Sequence, residues 1–344
     1  MLDDMAVSST SREPLEAAQG GPCRDGFERA PPLTRVQTDA LISRHYNAQV
    51  IDVRRCHEDL WVLRVHPDRG VPPFVAGQYT VLGLGYWEPR IAGSQEEHLE
   101  EGWQTKLVKR VYSISCSLLD RDDRLTRVKD YPYLEFYVAL VRKAARPPAL
   151  TPRLFLLERG DRLFVGPHAH GNYTLHRVRS SDNVVFAATG TGEAPHNAML
   201  SDLLAGGHRG RIASVVCVRY KKDLAYTREH GILMQRFPHY RYMTLTTREP
   251  ENLDRSLPGY VGKRYLQQYL ASGILERELG WELSPANTHI FLCGSPDMIG
   301  APHPTHDPQR RFPKPTGMVE ILEQRGFQVD QPHEPGNIHY EKYW

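Results

Sequence analysis

The chemistry around which this chain is organised sits in four consecutive residues: Arg110, Val111, Tyr112 and Ser113. They belong to Lys109-Arg-Val-Tyr-Ser-Ile-Ser-Cys-Ser, a strand-like run that offers a fixed cation, an aromatic ring and a hydroxyl in close order. Successive side chains of a strand point to opposite faces, so Arg110 and Tyr112 share one side and Ser113 turns to the other. A guanidinium can take a pyrophosphate bidentately, a phenol ring can cover an isoalloxazine, and a hydroxyl can reach its reactive N5 edge. Such a set suits a flavin dinucleotide. Taken alone, the segment reads more simply as a half-buried barrel strand whose arginine reaches for water. The rest of the chain shifts that balance.

A second constellation is Thr189-Gly-Thr-Gly-Glu-Ala-Pro195, which follows an apolar strand and opens a helix. Gly190, Thr191 and Gly192 let the backbone approach a dinucleotide, and the helix terminus favours its negative charge. The spacing is not G-x-G-x-x-G. Where an acid would hold a ribose 2'-hydroxyl stands Arg219-Tyr-Lys-Lys222, which favours a phosphorylated ribose. Thr246-Thr-Arg-Glu-Pro250 and Gly262-Lys-Arg-Tyr-Leu-Gln267 come next, and Arg248 with Lys263 could converge on a 2'-phosphate while Tyr265 stacks on adenine. Any one of these cations could equally belong to a solvated face. Cys293, at a strand's carboxyl end before Gly294, lies where a nicotinamide would meet a flavin; a small buried hydrophobe is the plainer reading. The last residues, Asn337-Ile-His-Tyr-Glu-Lys-Tyr-Trp344, carry aromatics and a carboxylate, which suits a docked segment better than a fraying one.

Two sets of elements must position these groups. The length of 344 residues suits two domains, and 40% hydrophobic with 24% charged residues is a globular composition. Residues 1–40, rich in Ser, Glu, Gly and Pro, read as a mobile tail. Residues 41–180 show short alternating strands near 48–54, 59–65, 74–84, 110–115, 133–141, 163–165 and 173–175, which indicates a small antiparallel barrel. A polar stretch over 85–108, with Trp87 and Trp103, interrupts them as a surface excursion. At Leu150-Thr-Pro-Arg, Thr151 is a good N-cap, Pro152 fits the first helical position and Gly160 is the stop, so the helix start could hold a pyrophosphate; an ordinary capped helix is the simpler alternative. Residues 181–344 alternate continuous apolar strands, near 184–188, 211–218, 240–246 and 289–293, with helices near 195–205, 225–236, 264–272 and 317–325. That grammar means a parallel sheet covered on both faces, with ligands at the carboxyl ends of its strands.

Several classes are disfavoured. A net charge of +2 does not argue for nucleic acid. No apolar run reaches the roughly 20 residues of a membrane helix, and Asp3 and Asp4 are unlike a secretory signal, so a cytoplasmic location is expected. Five scattered cysteines, at 23, 56, 116, 217 and 293, suit reduced thiols, and none pairs at metal-ligand spacing, so an iron–sulfur centre belongs on a partner. His303, His306 and Asp307 could suggest a metal, but an exposed proline-rich loop accounts for them, and no metal is expected.

The motifs together resemble the ferredoxin–NADP reductase family over residues 46–344, including its bacterial flavodoxin/ferredoxin-reducing members. Arg110-Val-Tyr-Ser113 is similar to the family's R-x-Y-S, Thr189 to Pro195 to its G-T-G-x-A-P, and Cys293-Gly-Ser-Pro-Asp-Met298 to its C-G-x-P-x-M. The resemblance implies an antiparallel β-barrel FAD domain followed by a parallel five-stranded Rossmann-like NADP domain. By it, Arg110 holds the FAD pyrophosphate, Tyr112 packs on the isoalloxazine and Ser113 bonds near N5. Thr247, Arg248, Lys263 and Tyr265, with Gln267 nearby, match positions used for the 2'-phosphate and adenine of NADP. Glu341-Lys-Tyr343 matches an E-x-Y terminus whose tyrosine covers the flavin, so Glu341 joins Ser113 and Cys293 around the hydride path. Trp344 extends beyond that tyrosine, as in bacterial members ending in Tyr-Trp. Glu193 departs from the family by replacing an apolar loop residue.

The expectation is a flavoenzyme that uses FAD and NADP(H) to exchange electrons with a ferredoxin or flavodoxin, acting as a monomer or weak dimer. An NADPH-dependent flavin reductase serving an oxygenase or a stress response, or a flavin-binding redox sensor that hardly turns over, would share these motifs.

Overall fold

The computed structural model describes residues 33–302 and 312–343. The first half runs α1 (Arg35–His45), β1 (Ala48–His57), β2 (Leu60–Pro67), β3 (Tyr79–Gly85), β4 (Leu107–Ser113), β5 (Leu134–Ala139), α2 (Thr151–Leu154) and β6 (Arg162–Val165). These strands form one antiparallel sheet in the order β4-β3-β6-β1-β2-β5. Its core joins Val50, Leu63, Leu82, Leu84, Phe136 and Leu163 with Leu150, just before α2, and Leu154 within it.

The second half runs β7 (Asn183–Thr189), α3 (Glu193–Ala205), β8 (Ile212–Val218), α4 (Thr227–Arg236), β9 (Tyr240–Thr246), α5 (Pro250–Leu253), α6 (Leu266–Ala271), α7 (Ile274–Leu279), β10 (Thr288–Gly294), α8 (Pro296–Ile299), α9 (Met318–Gln324) and β11 (Ile338–Lys342). Here the strands are parallel, in the order β11-β10-β7-β8-β9. The fold class read from the sequence is the one observed, and the fifth strand is the docked C-terminal segment.

Alternation works even inside these apolar strands, because a parallel sheet is covered on both faces. Ile290 and Leu292 join Val185, Ala187 and residues of α6, α7 and α9 on one face. Phe291 and Cys293 turn to the other face, where Phe186, α3 and α4 meet Leu60, Val62 and Tyr137 of the antiparallel sheet. That shared core fixes the two sheets against each other and aims Cys293 at the seam between them.

Four expectations are corrected. The tail reading extended to residue 40, yet α1 begins at Arg35 because Thr34 and Gln37 form a reciprocal capping box; residues 1–32 lie outside the described ones. Thr151 is not an N-cap. It is the first residue of a helix that ends at Leu154 rather than Gly160, and its hydroxyl exchanges hydrogen bonds with the backbone of Val141. Residues 173–175 are not a strand, since Tyr173 is drawn across to the second half, where its hydroxyl meets His196 Nε2 at 2.8 Å and its ring stands edge-on to Phe291. The stretch 85–108 does lie at the surface over most of its length, but its ends, Gly85 and Leu107–Val108, belong to β3 and β4, and it is tied to α2, where the buried Arg153 bonds the carbonyls of Tyr86 and Glu88 and pairs with Glu97 at 2.8 Å.

Among the described residues no helix is long and apolar enough to cross a membrane, and no cluster of three or more His, Cys, Asp or Glu has metal-binding geometry. Cys56, Cys116, Cys217 and Cys293 are free thiols. His303, His306, Asp307 and Trp344 lie outside the described residues.

Candidate active site

Strand register assembles the seam. The pairing of β10 with β11 sets Cys293 beside Glu341 and Gly294 beside Lys342. Tyr343 follows, its amide donating to the Gly294 carbonyl at 3.0 Å. From the antiparallel sheet, Ser113 closes β4 and reaches the same point. The Tyr343 hydroxyl donates to Ser113 Oγ at 2.9 Å, and Ser113 donates to Glu341 Oε2 at 2.9 Å. A relay of hydroxyls ending on a carboxylate thus spans residues more than 220 apart in the chain.

Burial sets the protonation of this relay. Desolvation raises the Glu341 carboxyl, and the Ser113 hydrogen bond offsets only part of it. Burial first, then the Glu341 charge, push the Cys293 thiol well above its usual range, so at neutral pH it is a neutral dipole rather than a thiolate nucleophile. Burial likewise keeps the Tyr343 and Tyr173 phenols protonated. The seam can hold a proton at Glu341 Oε2, beside a fully buried Cys293.

Tyr112 and Arg110 share a face of β4, as the alternation required. Tyr112 is half-buried with its ring edge-on to Phe136, while Arg110 is exposed and, among the described residues, its guanidinium bonds only the neighbouring Lys109 carbonyl, at 2.8 Å. An aromatic ring seated on the barrel core and a cation with no carboxylate partner among the described residues fit an aromatic, pyrophosphate-bearing ligand. Thr151 contributes less than expected, because its hydroxyl already serves Val141 and its short helix ties the Arg153 and Leu154 amides to the Leu150 carbonyl.

The glycine loop is a single 3-10 turn, Gly190–Gly192, wedged between strand ends. Gly190 has φ +53 with open space where a Cβ would stand. Gly192 lies so near Cys293 that a Cβ would sit 2.3 Å from its carbonyl oxygen, which only glycine permits. Along the same sheet edge, the amides of Thr247 and Arg248 bond the Arg219 carbonyl, and the Cys217 thiol meets the Arg264 carbonyl at 3.5 Å. These bonds gather Arg219, Thr247, Arg248 and the Lys263–Tyr265 segment at the carboxyl ends of β8 and β9. The side chains of Arg219, Arg248, Lys263 and Tyr265 are exposed, and the three cations pair with no carboxylate among the described residues. Gln267 is half-buried in the first turn of α6.

Sequence reasoning missed the groups behind the seam. Tyr173 was placed in a barrel strand. Tyr226, from the second half, donates to Glu135 Oε1 at 3.0 Å, and Arg64 grips the same carboxylate at 2.9 Å. The charged Glu135 in an otherwise apolar strand was the available signal, but its partner Tyr226 lies 91 residues away.

Known proteins share this design. The family described as oxidoreductase NAD-binding domain matches residues 186–303. The flavodoxin/ferredoxin–NADP reductase of Escherichia coli (strain K12) is 31% identical over 255 residues, 73% of this chain and 85% of that protein. The protein of that name from Buchnera aphidicola (strain Bp) is 24% identical over 298 residues, 86% of this chain and 98% of its own. A ferredoxin NADP+ reductase from Neisseria gonorrhoeae, crystallised with bound FAD and NADP, shares the fold with a TM-score of 0.63 at 18% identity, covering 86% of this chain and 98% of that one. With 31% identity across 73% of this chain and 85% of a relative's length, this chain belongs to the flavodoxin/ferredoxin–NADP reductase family.

Proposed function

We propose that this chain is an FAD enzyme that moves electrons between NADP(H) and a ferredoxin or flavodoxin. The observation that carries the reading is the Tyr343–Ser113–Glu341 relay, because it joins the flavin motif of one sheet to the nicotinamide edge of the other. When bound, FAD supplies the exchange of an electron pair with nicotinamide and of single electrons with the acceptor. The protein's part is positioning.

Arg110 would hold the pyrophosphate and Tyr112 would back the ring, with Thr151 in a lesser role at the start of α2. Tyr343 would cover the other face and yield it to the nicotinamide. Ser113 would bond near the reactive edge, and Glu341 would accept or return the proton that charge transfer there requires. Cys293, held neutral, would line the nicotinamide side without competing chemistry. For the coenzyme, Gly190, Thr191 and Gly192 would approach the diphosphate, and Arg219, Arg248 and Lys263 would answer the 2'-phosphate. Thr247 and Gln267 would flank them, and Tyr265 would stack on adenine.

We infer a cytoplasmic location, in keeping with the free thiols of the four described cysteines. A monomer or weak dimer suffices, since one chain provides both halves of the site.

The test is a spectrum followed by an acceptor screen. The protein should be yellow, retain FAD, and reduce a ferredoxin or flavodoxin with NADPH. A colourless folded protein would reject the reading, and turnover with free flavin but neither carrier would turn it toward a flavin reductase.

A further inference from the structure

The residue that follows the glycine loop is a buried carboxylate with no role in the function so far. Glu193 is 1% exposed. Its Oε1 accepts from His230 Nε2 at 3.0 Å and from the Tyr242 hydroxyl at 3.0 Å. His230 is wholly buried, stacks on the Tyr242 ring at 3.9 Å between centroids, and meets the Tyr240 hydroxyl through Nδ1 at 2.8 Å. The cluster therefore ties the start of α3 to α4 and β9. Glu193 Oε2 is buried with no hydrogen-bond partner among the described residues.

Such a group is a poor choice for stability. A buried carboxylate with one oxygen unpaired is less favourable than an apolar side chain of the same volume. What it offers is direction, because an acceptor held by two donors fixes its own backbone more narrowly than packing does. That backbone matters here. The Glu193 amide donates to the carbonyls of Gly190 and Thr191 and so closes the loop. On its other side the loop is wedged at Gly192 against Cys293. The loop is gripped from below by Glu193 and from the side by the end of β10.

We propose that Glu193 is a positioning residue for the coenzyme: anchored by His230 and Tyr242, it sets where Gly190–Gly192 stands over the sheet and so the affinity for the part common to NADP and NAD. This rests on the loop being the coenzyme's cradle. It also accounts for the departure seen in the sequence, since the carboxylate points into the protein toward His230 and Tyr242.

The experiment uses the FAD-loaded protein and measures Kd for NADP+ and NAD+ by difference spectra, with thermal midpoints alongside, in the wild type, Glu193→Leu, Glu193→Gln and Tyr242→Phe. Glu193→Leu should raise both constants about tenfold. Glu193→Gln keeps an acceptor for both donors and should stay within about threefold of the wild type. Tyr242→Phe keeps the stack on His230, loses one donor, and should fall between. The proposal is overturned if Glu193→Leu lowers the midpoint but leaves both constants unchanged, if only NADP+ is affected, or if the Gln and Leu variants lose equally. Should Glu193→Leu not fold, Tyr242→Phe decides, and unchanged constants for both coenzymes would end the idea. Wild-type binding of NADP+ checks the cradle reading separately from its positioning.

Discussion

At the seam, Ser113 is buried, Glu341 and Tyr343 are partly so, and each hydroxyl is committed to a partner before any ligand arrives. At the outer edge of the parallel sheet, Arg219, Arg248, Lys263 and Tyr265 stand exposed, with cations that pair with no described carboxylate. The difference follows from what each region has to do. Moving charge between two rings needs fixed distances and little water, and in low dielectric a preorganised relay reorients nothing at the moment of reaction. Recognising a phosphate needs only cations that can shed water and close on it, so an open, salt-sensitive edge suffices.

The outer edge is the easier to break. Arg248→Ala together with Lys263→Ala should lower kcat/KM for NADPH about a hundredfold, as two charge-assisted contacts are lost, and leave NADH within about threefold. Added salt should erode the NADPH preference of the wild type and hardly alter the variant's. Steady-state kinetics with both coenzymes decide it, and an equal loss would remove the 2'-phosphate role.

At the seam, Ser113→Ala should lower kcat about tenfold by parting Tyr343 from Glu341, with FAD still bound. Here salt should have no effect, and a salt-dependent loss would mean the two regions are not built differently after all.

The smallest effect sharpens the contrast in protonation. The folded carboxyl of Glu341 is raised by burial above its ordinary value of 4.5. A raised group contributes stability that is present below its unfolded pKa and lost as pH rises through the folded one. Glu341→Gln keeps an acceptor for Ser113 and should gain on the wild type in thermal midpoint as pH rises from 4 to 8. A difference that does not vary with pH would show the carboxyl to be unperturbed.

Much of the fold was legible because its signals are local. Val184 to Ala188 followed by Thr189-Gly-Thr-Gly192 announces a strand, a turn and a helix within a few residues, and the structure has them there. Errors arose where a local cue had a distant competitor. Thr151 has the side chain of a cap, but Val141 claims its hydroxyl. Tyr173 sits in a strand-like run, but His196 and Phe291 offer its ring a buried place in the other half. The polar stretch 85–108 gave no hint that Arg153 would bury itself to hold Glu97.

By itself the sequence determined the elements and their order, and which residue types stood at strand ends, because alternation, glycine and capping act over a turn or a strand. Only the tertiary structure decided that Ser113 and Glu341, 228 positions apart, would meet in one hydrogen bond. Contacts of that kind depend on which strands pair and in what register, and register is settled when two whole faces are buried against each other, a condition no single stretch of chain contains.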